Sequence, residues 1–198
     1  MTTSRLKKQG FANYHRKLLF CVFAIAIGSY LFLAPDLCKL SRIAILCAQI
    51  AGTLLIFAGI LGRVLATISI GGHKDKTIMQ TELYSICRNP LYFASFLMAL
   101  GFGLLSGRLD FLFLTAGAYL AIFYPMMRNE ARYLREKFTD FAAYEMRVPL
   151  FFPNFSLWQE RKNFEINFKL VKRTLLDASL ALPLIPLMIL VRAYLATK

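Results

Sequence analysis

The sequence predicts an all-α protein that crosses a membrane about five times, and three observations support this. Of its 198 residues, 58% are hydrophobic, and the mean hydropathy of +0.53 lies beyond that of ordinary soluble domains. The excess is concentrated in separate apolar stretches, most of them near the 20 residues needed to cross a hydrocarbon core of about 30 Å. Basic residues gather in alternate gaps between those stretches, as they do in polytopic membrane proteins.

Taken in order, the first helix reads Leu18–Leu33. No small-residue cleavage site follows it, and Tyr30-Leu31-Phe32-Leu33 extends it, so it is not read as a cleavable signal peptide. The second helix reads from about Ile43 to Leu61, with the apolar pattern open as far as Ile70. The third, Leu91–Leu105, and the fourth, Phe111–Met127, are somewhat short for spans. The last lies at about Leu175–Leu195, where Pro183 and Pro186 predict a kink or a re-entrant segment.

Charge placement predicts orientation. Of the 24 Lys and Arg, 19 fall before helix one, between helices two and three, or from Arg128 to Arg173. Only Lys39, Arg42, Arg108, Arg192 and Lys198 fall on the other side. The positive-inside rule then puts the N-terminus and the 128–173 segment in the cytoplasm, with the bacterial inner (cytoplasmic) membrane as the expected location. The net charge of +13 is an orientation signal and implies anionic lipid headgroups as partners. It does not imply nucleic acid, because the charges border apolar spans and no recognition motif accompanies them. Cys21, Cys38, Cys47 and Cys87 show no Cys-x-x-Cys spacing, and His15 and His73 are far apart, so no metal site is expected.

The chain reads as three parts. Residues 1–70 are a basic arm and a helical hairpin with little chemistry in it. Residues 71–155 hold nearly every candidate site residue, and residues 156–198 are an amphipathic basic stretch and a final apolar helix. Within the middle part, Arg88-Asn89-Pro90-Leu91-Tyr92 sets a charge and a helix start at the mouth of an apolar run. Asn89 suits an N-cap, and Pro90 suits the first helical position, where its missing N–H is harmless. A second polar cluster, Arg128-Asn129-Glu130 with Arg132, closes the next apolar run. Two such clusters at one face of two neighbouring helices point to one site.

The ordered set Tyr84, Arg88-Asn89-Pro90-Leu91-Tyr92, Glu130 with Leu134, Phe138, Tyr144, Arg147-Val148-Pro149 and Phe152-Pro153 resembles the isoprenylcysteine carboxyl methyltransferase family, which is related to the phospholipid N-methyltransferases. The resemblance covers a little under half the chain. It implies an integral membrane enzyme with a cytoplasmic cofactor pocket, moving a methyl group from S-adenosylmethionine to a lipid or lipidated substrate. Carried over residue by residue, Lys76, Thr77, Ile78 and Met79 would embrace the adenine end, largely through backbone. Tyr84 and Tyr92 would wall the cofactor, with Asn89, Pro90 and Leu91 between them. Glu130 would accept hydrogen bonds from the cofactor or balance its charge, and Arg88 and Glu130 are the expected catalytic residues. No triad or metal is required, because methyl transfer from a sulfonium is an in-line displacement that needs alignment and water exclusion.

The chain departs from the family pattern at Glu82-Leu83, where a glycine-led pair is common, and at Ala131 and Thr139. The arginine that contacts substrate in the prenylcysteine enzymes is Met126 here, with Arg128 two residues on as the expected substrate contact. That favours a lipid headgroup, amine or phosphate, over a prenylcysteine carboxylate as methyl acceptor. The reading from a different class is a non-enzymatic membrane protein on the same scaffold. A transporter would place charge at mid-bilayer, and the apolar spans carry none there.

Overall fold

The computed structural model describes residues 28–34, 40–71, 77–161, 166–195 and 197. The chain forms two compact units, Met1–Leu37 and Cys38–Lys198. In the first unit, residues 28–33 are helical, matching the end of the expected first helix; the rest of that helix lies outside the described residues.

The second unit is built from helices, with no strand among its described residues. Helix α1 spans Arg42–Ile70, α2 Leu83–Ile86, α3 Pro90–Leu105, α4 Leu109–Lys137, α5 Phe141–Arg147, α6 Phe168–Ser179 and α7 Leu184–Leu195. One 3-10 turn, Phe155–Leu157, lies between α5 and α6. Among the described residues, three stretches are long and apolar enough to cross a membrane: α1, α4 and the Phe168–Leu195 stretch that contains α6 and α7; α3 is a shorter apolar helix. Along α1, the residues Ile43, Leu46, Ile50, Leu54, Phe57, Leu61 and Leu65 form an exposed apolar stripe at helical spacing. Water would penalise such a stripe and lipid accommodates it.

The opposite face of α1 packs antiparallel on α3, and small residues set the distance between them. A Cβ added at Gly52 would lie 2.6 Å from the Gly101 carbonyl oxygen, and one added at Gly101 would lie 2.6 Å from the Gly52 oxygen. Backbone therefore touches backbone, the packing that apolar helices use in a solvent as apolar as themselves. Ile56, Ile60 and Leu105 fill the rest of this contact, joined by Ala178 and Ala181 from the C-terminal segment.

Two elements differ from the sequence expectation. Helix α4 does not stop at Met127 but runs on to Lys137. Hydropathy marks where apolarity ends, whereas Arg128–Lys137 is made of good helix formers, with Ala131 and Leu134 keeping an inward face. The last apolar stretch is two 12-residue helices joined by a turn over Leu180–Pro183, so the interruption read from the prolines is there.

Candidate functional site

The site begins with a tight turn. Tyr84 N–H donates to the Thr81 carbonyl at 3.2 Å, with Glu82 at φ 56 and ψ −131. These are the angles of the second residue of a type II′ turn, a place that glycine fills without strain. Here a buried Glu fills it.

Beyond the turn, Ile86–Asn89 runs beside Pro149–Asn154 and is pinned to it. Arg88 N–H donates to the Pro149 carbonyl at 2.9 Å, Asn154 N–H to the Ile86 carbonyl at 2.9 Å, and the Cys87 thiol to the Phe151 carbonyl at 3.0 Å. Asn89 occupies the N-cap position of α3, but its side chain makes no capping bond. Its Nδ2 donates instead to the Leu150 carbonyl at 2.9 Å, which corrects the capping role read from sequence. The backbone carbonyl, an obligatory acceptor, claims the amide that the helix end leaves free. Pro90 is in the first turn of α3, as expected.

These connections frame a cavity of about 430 Å³ at the polar end of the α3–α4 hairpin. Thr77, Ile78 and Met79 line one side, Tyr84, Arg88, Asn89, Leu91 and Tyr92 the next, and Glu130 faces them from α4. The Tyr92 hydroxyl donates to Glu130 Oε2 at a long 3.4 Å, so α3 and α4 meet across the opening. Aromatic groups dominate the remainder: Phe123, Phe138, Phe141 and Tyr144. The Tyr144 hydroxyl donates to the Tyr84 carbonyl at 2.7 Å, and the Tyr119 hydroxyl to the Tyr92 carbonyl at 2.7 Å, fixing both tyrosine backbones.

Electrostatics sharpens the arrangement. Burial, then the nearby Tyr144 and Glu130, pushes the Tyr84 hydroxyl above its ordinary range; burial does the same to Tyr144, so both stay neutral donors. Burial pushes the Cys87 thiol up to about 11, which leaves it a packed, unreactive group. Arg88 donates to Glu145 Oε1 at 2.6 Å, and Arg135 holds the other oxygen of the same carboxylate. Partial burial pushes the Glu145 carboxyl up, but its hydrogen bonds to Arg135 and Arg88 and their charges outweigh this and hold it below its ordinary value.

The structure brings together Thr77, Ile78, Met79, Tyr84, Arg88, Asn89, Leu91, Tyr92 and Glu130. Lys76 lies outside the described residues. Pro90 is buried in the helix start and does not line the cavity. Arg128, the expected substrate contact, also falls outside the main cavity, because it projects from another side of α4 than Glu130; it lines a smaller recess next door. Sequence reasoning missed Arg63, Ser95 and Phe123, and gave Tyr144, which it placed in the motif set, no role in the site. Arg63 sits inside α1, donates to Ser95 Oγ at 2.5 Å, and has a buried Nε with no hydrogen-bond partner. Its signal was a lone arginine in an apolar helix, which the charge count had assigned to a loop.

A family model described as phospholipid methyltransferase matches residues 47–140, which carry most of α1, the turn, the hairpin and most of the cavity. The match takes in a little under half of the chain, and this segment is similar to that family. Its bounds reach back across α1, further than the motif residues alone indicated. The chain is 33% identical over 132 residues to the cobalt-zinc-cadmium resistance protein CzcN of Cupriavidus metallidurans, covering 63% of this chain and 61% of that one. It is 29% identical over 131 residues to the nickel-cobalt-cadmium resistance protein NccN of Alcaligenes xylosoxydans xylosoxydans, covering 63% and 62%. The chain thus spans a little over three fifths of the curated relatives it matches. No solved structure matches it.

Proposed function

We propose that the protein is an integral membrane methyltransferase that uses S-adenosylmethionine to methylate the headgroup of a membrane lipid. The observation that carries this is the cavity itself, where an ordered motif set scattered from Thr77 to Glu130 lines one open-mouthed space. The residues fit the cofactor. A volume of about 430 Å³ is within the range of small-molecule sites. The aromatic walls suit an adenine and a sulfonium, and Arg63, whose buried Nε has no partner, suits a carboxylate.

Bound there, S-adenosylmethionine would supply a methyl group on a positively charged sulfur. The chain would do the rest. Thr77, Ile78 and Met79 bind at the rim, while Tyr84, Tyr92 and Phe123 present ring faces and exclude water. Glu130 favours positive charge at the mouth, and with an amine acceptor its carboxylate takes the proton the nitrogen must lose. Arg88, anchored by Glu145, orients the acceptor. The polar end would face the cytoplasm of a bacterial inner membrane, with the N-terminus on the same side.

The names of the two relatives refer to metal resistance. Among the described residues no three His, Cys, Asp or Glu stand close enough to hold a metal ion. On this reading any bearing on metal tolerance would act through a modified membrane lipid.

Calorimetry of the detergent-solubilised protein tests the reading. It should bind S-adenosylmethionine and S-adenosylhomocysteine with or without divalent metal, and labelled methyl should pass into a total lipid extract. Absence of heat and of any thermal shift would overturn it. Engineered cysteines in the N-terminal arm and in residues 128–173 should both be shielded from an impermeant reagent applied outside.

A further inference from the structure

We infer that the recess beside the main cavity is a phosphate subsite, which takes the phosphate of the acceptor lipid. The inference rests on the methyltransferase reading and deepens it. The recess measures about 140 Å³ and is bounded by Arg88, Arg128, Arg132 and Arg135, with Glu145 as the one carboxylate among its lining residues. That carboxylate is already shared, one oxygen with Arg88 and the other with Arg135. Arg128 and Arg132 have no ion pair among the described residues. Four guanidinium groups around one carboxylate leave three positive charges unmatched, and an anion with several acceptor oxygens would match them. Guanidinium forks fit phosphate oxygens two at a time, and a phosphate offers more acceptor oxygens and more charge than a single carboxylate.

The spacing is built for one face. Arg128, Arg132 and Arg135 stand at i, i+4 and i+7 on α4, so they form a single stripe. Depth agrees. From Phe111 to Met127, the apolar part of α4 rises about 26 Å at 1.5 Å per residue, a little less than the thickness of a hydrocarbon core. Arg128 is thus the first residue past the apolar length, at the level where lipid phosphates lie.

Position agrees as well. Arg88 and Ala131 line both the recess and the main cavity, so a phosphate held in one leaves its headgroup at the edge of the other. The Arg88 side chain is 11% exposed, and its Nε is buried without a hydrogen-bond partner. A second guanidinium N–H is therefore spare in a side chain that Glu145 already holds in place.

The test uses the full chain in a detergent without phosphate. Binding is measured by calorimetry for dihexanoyl phosphatidylethanolamine, for dihexanoylglycerol and for S-adenosylhomocysteine. The phospholipid should bind at least tenfold more tightly than the diglyceride. Arg128→Gln with Arg132→Gln should weaken phospholipid binding by at least tenfold, while S-adenosylhomocysteine binding stays within twofold. The Arg128→Lys, Arg132→Lys pair, which keeps charge but loses the fork, should fall between. Competition by millimolar inorganic phosphate would assign the phosphate group alone as ligand, and its failure to compete would assign the lipid-borne group. Equal phospholipid binding by wild type and the Gln pair, or equal binding of the diglyceride, would overturn the subsite. Failure of wild type to bind S-adenosylhomocysteine would count against the methyltransferase reading, leaving the lipid comparison readable.

Discussion

The two ends of the α3–α4 hairpin handle charge in opposite ways. At the turn, Ser106 Oγ donates to the Gly103 carbonyl at 2.6 Å and accepts from Arg108 N–H at 3.1 Å. Arg108, 4% exposed, meets Asp110 through two hydrogen bonds of 2.5 and 3.2 Å. The Arg108–Asp110 charge there is buried and paired. At the other end, among the described residues, Arg63 and Arg88 keep buried N–H groups without partners, Glu130 makes one long contact, and Arg128 and Arg132 face a recess. A terminus built only to hold helices together resembles the first. One that leaves polar groups unsatisfied around a cavity is arranged for a ligand.

The sharpest way to break this contrast is at the closed end. Arg108→Ala leaves Asp110 buried without its main partner, which should cost about 3–5 kcal/mol of stability. Thermal unfolding should show that loss, while the protein that remains folded binds S-adenosylhomocysteine normally. Loss of cofactor binding with unchanged stability would mean that this end is not merely structural.

Glu145→Gln should have a smaller effect of about 1–3 kcal/mol, between the surface and buried limits for an ion pair. It carries a pH signature. The folded carboxyl titrates below its ordinary 4.5, so the pair's contribution is fully present above that value and is lost as pH falls through the folded one. The difference in melting temperature between wild type and variant should therefore be constant near neutrality and shrink in acid. A difference independent of pH would show that the Arg88–Glu145–Arg135 triad contributes no charge-dependent stability.

At the open end the largest effect should be on turnover. Glu130→Gln keeps the side chain's size and removes its charge. Methyl transfer should drop at least tenfold, about 1.4 kcal/mol, with little change in melting temperature. Normal turnover by a destabilised variant would reassign Glu130 to structure. Asn89→Ala, the mildest, removes one side-chain hydrogen bond to the Leu150 carbonyl and should cost about 1 kcal/mol. Because that bond holds the start of α3 in place, methyl transfer should fall along with stability; a stable variant of normal activity would break the link.

The sequence by itself determined what depends on neighbours along the chain. Apolar length marked α1, α3 and α4, Pro90 marked where α3 starts, and Pro183 and Pro186 marked the break before α7. Motif order gathered Tyr84, Asn89, Tyr92 and Glu130 into one site, and the family match supports the same segment. What only the tertiary structure decided depends on partners far apart in the chain. The bond from Asn89 to the Leu150 carbonyl and the ion pair of Arg88 with Glu145 join residues about sixty positions apart, and no local pattern announces either. Arg63 became a cavity residue because small residues bring α1 against α3, which its own helix does not reveal. Arg128 left the main cavity because α4 stays helical past its apolar stretch, and helical rotation, not distance along the sequence, sets the side on which a residue stands.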